Sequence, residues 1–128
     1  VGATPKEAYM GRDLLLIMED DFDLAGYDPD ILKIKTLEGS MLHLTKAGDG
    51  DYDCISRSFA PKLGVDEDPV CGSGHCHICV YWSEKLNKPD ILAYQASRRG
   101  GILETYVTPG HVNLTGHAVM FYRGDIHI

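Results

Sequence analysis

The sequence predicts an α+β fold in which a curled, barrel-like β-sheet, mixed or antiparallel, wraps around one central apolar helix. Short alternating strands separated by turn residues account for most of the chain. One uncharged run, residues 75–82, follows a Gly-Ser-Gly turn and is bounded by Ser-Glu-Lys. A helix that is apolar or small on every face is one that protein surrounds. The sheet is therefore expected to enclose this helix.

Length and composition indicate one globular domain, residues 1–128, without a nucleic-acid or membrane role. Of the 128 residues, 44% are hydrophobic and 24% are charged, as in a soluble globular protein. The net charge of −7 argues against nucleic-acid binding, which favours a basic surface. No stretch approaches the roughly 20 apolar residues of a transmembrane helix, and no signal peptide is visible at the start.

A strand and a helix are the first predicted elements. Residues 12–18 form a short apolar run that suits a buried strand. Asp28 and Pro29 are residue types that start a helix, as N-cap and first helical position. The helix is expected over residues 29–37 and should end at Gly39.

A β-hairpin is predicted next. Residues 41–46 and 52–59 alternate in polarity as strands do, and a Gly-Asp-Gly-Asp turn at 48–51 joins them. Strands joined by such a short turn pair antiparallel. The first strand should have two faces, one with Met41, His43 and Thr45 and the other with Leu42 and Leu44.

The central helix and a meander of strands complete the predicted fold. The helix is expected to begin at Ser73 or Gly74 and to reach about Asn87, because Pro89 prevents its continuation. The meander should close over the helix, with strands at residues 91–97, 102–108, 112–121 and 125–128.

The start of the central helix is the candidate functional site. Free backbone N–H groups and the helix dipole favour an anion there, such as a substrate carboxylate. A carboxylate, a thiol and a hydroxyl lie beside them, so the candidate residues are Asp68, Cys71, Gly72, Ser73 and Gly74. Cys71, at the positive end of a helix, is expected to have a lowered pKa and to exchange protons near neutrality. Asp68 would orient a substrate amine or hydroxyl.

Two other kinds of site could use the cysteines. Cys71, Cys76 and Cys79 have the spacing of three plant-type iron–sulfur ligands, but no fourth cysteine follows them. A zinc site of Cys76 and Cys79 with His75 or His77 is possible, but cysteine pairs of this spacing usually lie in loops or knuckles. A redox pair of Cys76 and Cys79 would need Cys76 exposed at the helix N-terminus. Inside an apolar helix these thiols should instead pack as small hydrophobic groups, and the two histidines should each pack with one hydrogen bond. Reduced cysteines are expected, in a cytoplasmic protein.

Four segments of the chain form a recognisable set. They read Arg-Ser-Phe-Ala-Pro at 57–61, Glu-Asp-Pro-Val-Cys-Gly-Ser-Gly at 67–74, Gln-Ala-Ser-Arg-Arg-Gly-Gly at 95–101 and Val-Asn-Leu-Thr-Gly-His-Ala at 112–118. In their order and spacing they resemble the PhzF-like (phenazine-biosynthesis) isomerase family, which shares the diaminopimelate-epimerase fold. The resemblance covers nearly the whole chain.

The resemblance implies two similar domains, of which this chain corresponds to the second, C-terminal one. Asp68 and Ser73 fall on the family's active-site Asp and Ser, and Gly72 falls on a glycine whose amide faces the substrate. The family's acid/base glutamate belongs to the first domain, which is absent. The complete enzyme should shift a proton on a small carboxylate-bearing, amino-acid-like substrate without cofactor or metal. The isolated half should be inactive and should dimerise or self-associate.

Cys71 departs from the commoner family pattern, which has Thr at this position. The epimerase relatives have one of their two catalytic cysteines here, in a Cys-Gly-Thr-Gly turn. One alternative is therefore a racemase or epimerase in which Cys71 is one of two thiol bases. Another alternative is a non-catalytic module that binds a small acid or dimerises.

Overall fold

A computed structural model describes residues 2 and 4–127. Within them the chain forms one eight-stranded sheet and two α-helices. The strands are β1 (Glu7–Met10), β2 (Leu14–Ile17), β3 (Leu42–Ala47), β4 (Cys54–Ala60), β5 (Val65–Asp68), β6 (Asp90–Gln95), β7 (Gly101–Thr108) and β8 (His111–Thr115). The helices are α1 (Ile31–Ile34) and α2 (Gly72–Leu86), and a 3-10 turn covers Pro61–Leu63.

The sheet is mixed and open. Its strands run in the order β1-β2-β3-β4-β6-β7-β8, and β5 pairs with β4. The β2–β3 and β4–β6 pairs are parallel, and the other pairs, including the predicted β3–β4 hairpin, are antiparallel. The predicted mixed sheet is confirmed. Its barrel-like closure is not found among the described residues, because β1 and β8 are the two ends of the strand order.

The two faces of β3 pack against different cores, as the alternation predicts. On one face, the indole N–H of Trp82 in α2 donates to Thr45 Oγ1 at 2.9 Å. On the other face, Leu42 and Leu44 pack in a cluster that includes Ile34 of α1. All of these side chains are buried. The sheet is therefore a middle layer, with α2 on one side and the segment around α1 on the other.

α2 is buried on one side only. Ile78, Cys79 and Trp82 belong to the core cluster formed with β2, β4 and β6. Cys76 and Glu84 on the opposite side are exposed, and grooves separate them from β1 on one flank and β8 on the other. The expectation that protein surrounds this helix is therefore wrong for the described chain, because the sheet does not close over its outer side.

Both helices differ from their predicted limits. α1 has four residues, and its N-cap is Asp30 rather than Asp28, since the Asp30 carboxylate accepts a hydrogen bond from the Lys33 amide at 3.0 Å. α2 begins at Gly72, one residue earlier than expected, because Cys71 acts as its N-cap. It ends before Asn87, whose φ of +52° is left-handed. No helix in the described ranges is long and apolar enough to cross a membrane.

The sequence did not predict β5. No strand was predicted over residues 65–68, but β5 pairs antiparallel with the second half of β4. This pairing sets Asp68 opposite Ser58 and Glu67 opposite Phe59. β5 therefore leads directly into the turn that starts α2.

The segment after β8 also differs from the predicted structure. The strand expected over 112–121 ends at Thr115, and residues 116–127 form no strand in the described structure. Part of the strand expected at 125–128 cannot be compared, since Ile128 lies outside the described residues. Large apolar side chains in this segment are at least 81% exposed, namely Val119, Met120, Phe121, Tyr122 and Ile126.

Candidate active site

The start of α2 is fixed by hydrogen bonds to Cys71. The Cys71 thiol accepts from the Gly74 amide at 3.3 Å, and the Cys71 carbonyl accepts from the His75 amide at 3.2 Å. The Cys71 amide donates to the side-chain oxygen of Gln95 at 2.7 Å. A thiol thus fills the N-cap role that Ser, Thr, Asn or Asp usually has.

Two backbone amides remain available at this helix start. Neither the Gly72 nor the Ser73 N–H has a hydrogen-bond partner among the described residues. The Gly74 amide, expected to be a third, is already bonded to Cys71. Ser73 is exposed and Gly72 is half-buried, so an anion can approach this pair from solvent.

The Cys71 thiol is held in its protonated form. Its residue is 1% exposed, and this burial raises its pKa, which outweighs the lowering by hydrogen bonds from Ser73 and the Gly74 amide. The expectation of a lowered pKa is therefore wrong. It considered the helix dipole and neglected the loss of water around the sulfur.

Asp68 and Ser73 lie on the two sides of the turn that leads into α2. Asp68 ends β5, is half-buried, and accepts a hydrogen bond from the Val70 amide at 3.1 Å. Ser73 Oγ lies 3.6 Å from Cys71 Sγ, so one thiol contacts both the hydroxyl and the helix amide beside it. The five predicted residues, 68 and 71–74, are therefore parts of one turn.

Gln95 fixes both ends of this turn, a role that the sequence did not reveal. Its side-chain amide donates to the Asp68 carbonyl while its oxygen accepts from the Cys71 amide. Ser97 adds a hydrogen bond to the Pro69 carbonyl at 2.6 Å. Gln95 and Ser97 are buried. The Gln-Ala-Ser segment at 95–97 was part of the family resemblance and could have indicated this role. Its function is to hold the segment at 67–74.

His43 packs directly beneath the third residue of α2. A Cβ atom built on Gly74 would lie only 2.6 Å from His43 Cε1. The imidazole is buried between Asp13, whose Oδ2 is 3.2 Å from Nε2, and Ser58, whose Oγ is 2.9 Å from Nδ1. Because a carboxylate only accepts, Nε2 carries the proton. Sequence reasoning gave His43 no role, since these partners are distant along the chain.

His75 and His77 face different sides of α2, as the helical spacing predicts. His75 is buried, donates from Nδ1 to the Cys71 carbonyl at 2.7 Å, and accepts at Nε2 from Ser56, 3.2 Å away. This makes two hydrogen bonds rather than the expected one. Burial lowers the pKa of His75, so its ring is neutral at pH 7. The half-buried His77 has its Nε2 3.4 Å from Asp13 Oδ2.

Cys76 and Cys79 lie on different sides of α2. Cys79 is buried in the core, whereas Cys76 is exposed on the opposite side of α2. All four cysteines are free, and no group of three or more His, Cys, Asp or Glu in the described chain could hold a metal ion.

The sequence matches a known family over almost its whole length. Residues 2–124 match PhzC-PhzF, described as phenazine biosynthesis-like protein. The chain belongs to this family. An "uncharacterized isomerase" of Halalkalibacterium halodurans is 40% identical over 122 residues, which cover 92% of this chain and 46% of the relative. Mouse phenazine biosynthesis-like domain-containing protein 2 is 37% identical over 128 residues, covering 90% of this chain and 44% of the relative.

Solved structures of PhzF-like proteins have the same fold. A putative phenazine biosynthesis PhzC/PhzF protein from Clostridium difficile has a TM-score of 0.87 and 37% identity, covering 99% of this chain and 49% of that one. A PhzF family protein from Enterococcus faecalis has a TM-score of 0.80 and 39% identity, covering 93% of this chain and 49% of that one. The sheet and α2 are therefore half of the PhzF fold, and the chain spans about half the length of these relatives.

Proposed function

We propose that this chain is the C-terminal half of a cofactor-independent PhzF-like isomerase. The complete enzyme would transfer a proton on a small carboxylate-bearing, amino-acid-like substrate. The observation that carries the proposal is the helix start, where two unpaired amides stand beside Asp68 and Ser73 in a fold whose relatives are named isomerases. The substrate carboxylate would accept hydrogen bonds from the amides of Gly72 and Ser73.

Asp68 and Ser73 would orient the substrate for proton transfer. The Asp68 carboxylate accepts one backbone hydrogen bond, at 3.1 Å, and retains acceptor capacity for a substrate amine or hydroxyl. The Ser73 hydroxyl is exposed at the helix start and can donate to the substrate carboxylate. The proton itself would move to and from a glutamate of the other half of the enzyme. The isolated chain would then be inactive.

The protonated thiol of Cys71 favours this isomerase over an epimerase that uses two cysteine bases. An epimerase would need Cys71 to lose its proton readily, whereas burial raises the pKa of this thiol. Its sulfur already accepts the Gly74 hydrogen bond. We assign Cys71 to shaping the site, with its thiol protonated during turnover.

Asp68→Asn should abolish most activity of the complete protein that carries this chain. Loss of a group that orients or exchanges a proton lowers turnover by about 10²-fold or more. The measurement is deuterium incorporation from heavy water into a panel of small amino-acid-like carboxylates. Asp66→Asn, which changes an exposed carboxylate on the same strand, should leave the rate within about twofold. Full activity of the Asp68→Asn protein, with the control equally active, would disprove the assignment.

We further propose that the exposed segment at 116–127 contacts the missing half of the enzyme and, in its absence, makes the chain self-associate. Contiguous exposed apolar side chains of this kind mark interaction surfaces. Sedimentation velocity should show concentration-dependent association that Phe121→Ser weakens. Leu32→Ser removes a side chain 75% exposed elsewhere and should have no effect. A chain that stays monomeric at all concentrations would contradict the proposal.

A further inference from the structure

His75 is a buried histidine that the proposed proton transfer does not use, although it contacts the helix start directly. It is the fourth residue of α2 and is 0% exposed. Its Nδ1 atom donates to the Cys71 carbonyl at 2.7 Å, and its own backbone amide donates to the same carbonyl at 3.2 Å. The imidazole is therefore the closer of the two donors that hold this carbonyl.

The Cys71 carbonyl belongs to the same peptide group as one of the two unpaired amides. No peptide bond in the described chain is cis, so the carbonyl of Cys71 and the N–H of Gly72 point in opposite directions from one planar unit. The carbonyl points into α2, toward His75. The Gly72 N–H therefore points away from the helix, where an anion would bind. A donor that fixes the carbonyl also fixes the direction of this amide.

Ser56 extends the hydrogen bonds beneath the helix start into a chain. It lies on β4, is 0% exposed, and has its Oγ atom 3.2 Å from His75 Nε2. Because the Cys71 carbonyl only accepts, Nδ1 carries the proton of the neutral ring and Nε2 accepts from the Ser56 hydroxyl. The hydroxyl, imidazole and peptide dipoles are thus aligned, and buried hydrogen bonds in such a chain strengthen one another. The Gly72 N–H is the free donor at its end.

The two free amides differ in this support. The Ser73 N–H shares its peptide group with the Gly72 carbonyl. The side chain in contact with that carbonyl is the exposed thiol of Cys76, whose Sγ atom is 3.7 Å away. Loss of the His75 ring should therefore change the Gly72 amide more than the Ser73 amide.

We propose that His75 is a positioning residue that orients the Gly72 amide toward the bound anion through the peptide group joining Cys71 and Gly72. This role rests on the proposed function, because the anion is the carboxylate of that substrate. The buried imidazole neither contacts the substrate nor exchanges a proton with it. Its contribution is preorganisation, since a donor already held in the binding direction needs no rearrangement when the anion arrives.

Titration of the 128-residue chain with sodium acetate, at an ionic strength held constant with sodium chloride, tests the proposal. In an isotope-labelled sample at pH 7, the amide signals of Gly72 and Ser73 should shift saturably. His75→Leu removes both hydrogen bonds of the ring and should weaken acetate binding about fivefold, as the loss of one hydrogen bond does. Without acetate, the substitution should move the Gly72 signal more than the Ser73 signal.

Two further variants distinguish positioning from packing. His75→Asn places an amide nitrogen near the position of Nδ1 and keeps a donor for the Cys71 carbonyl, so acetate binding should stay within about twofold of the unmodified chain. Ile78→Val removes a methyl group from a residue that is 0% exposed on the same helix. It should lower stability and also leave acetate binding within about twofold.

The outcomes separate the role of His75 from the anion site itself. If the Gly72 and Ser73 signals of the unmodified chain do not respond to acetate, the anion site of the proposed function is wrong, and the role of His75 with it. Equal acetate binding by the unmodified chain and a folded His75→Leu variant would overturn the role of His75 alone. If His75→Leu does not fold, the ring nitrogen signals of the unmodified chain decide. A proton on Nδ1 supports the proposal, and a neutral ring with its proton on Nε2 overturns it.

Discussion

Gly74→Ala is expected to lower the free energy of unfolding by about 3 kcal/mol, as overpacking of a rigid site does. The added methyl would lie 2.6 Å from His43 Cε1, 2.8 Å from His43 Nδ1 and 3.1 Å from Cys71 Sγ. The imidazole cannot move away freely, because Asp13 and Ser58 hold its two nitrogens. The methyl would therefore push the helix start away from the sheet.

Gly72→Ala is the matched control for this change. A Cβ atom at Gly72 would meet only Leu114 Cδ1, at an ordinary contact distance of 3.5 Å. Alanine in the first turn of a helix should leave stability unchanged or raise it by about 0.5 kcal/mol. Urea denaturation of both variants provides the comparison. Equal stability of the two variants would show that His43 does not confine Gly74.

A second substitution, at His43, tests whether the contact between the added methyl group and the His43 ring causes the destabilisation. In a His43→Ala background the space beneath Gly74 is open, so Gly74→Ala should then be far less destabilising. The double-mutant cycle should give a coupling energy of about 2 kcal/mol, within the range known for residues in contact. Glycine at this position is therefore required for packing against His43, whereas the sequence suggested only that it supplied an amide.

Local patterns predicted much of the fold. The β3–β4 hairpin, the two faces of β3 and the long helix α2 all depend on residues close in sequence, and each is present. β5 was missed because three acidic residues resemble a loop, and only pairing with β4 makes them a strand. The parallel pairs β2–β3 and β4–β6 join segments that a long connection separates, so no local pattern could reveal them.

The position of the candidate site in the fold was predictable, whereas the roles of its residues stay a prediction. The turn residues indicated the helix start, which lies one residue earlier than predicted, and Asp68 and Ser73 flank it. The direction of the Cys71 pKa shift was not predictable, since burial of the sulfur depends on tertiary packing. The role of Gln95 was hidden for a similar reason, as its two partners lie on another segment.

Arg57→Ala is expected to lower the free energy of unfolding by about 3 kcal/mol, the lower end of the range for loss of one partner from a buried ion pair, because Glu67 is only half-buried. Arg57 is 8% exposed, and its Nε and Nη2 atoms donate to the two Glu67 oxygens at 2.7 and 3.0 Å. Its Nη1 atom donates to the carbonyls of Leu24 and Tyr27. The alanine would leave these acceptors unpaired, and thermal and urea unfolding would measure the loss.

Arg57→Lys and Arg98→Ala are the controls for this prediction. Lysine keeps the charge but cannot form the two parallel bonds to Glu67, so it should recover less than half of the loss. Arg98 is exposed, and its replacement should change stability by no more than about 0.5 kcal/mol. An Arg57→Ala protein as stable as the Arg98→Ala protein would contradict the prediction.

The ion pair also links stability to the candidate site. Glu67 precedes Asp68 on β5. The hydrogen bonds from Arg57 to the Glu67 carboxylate therefore fix the strand that carries the Asp68 carboxylate. Loosening β5 would move Asp68 relative to the amides of Gly72 and Ser73. In the complete protein, Arg57→Lys should therefore reduce turnover even at temperatures where the fold is intact, because small displacements of an orienting group lower the rate by up to about 10²-fold.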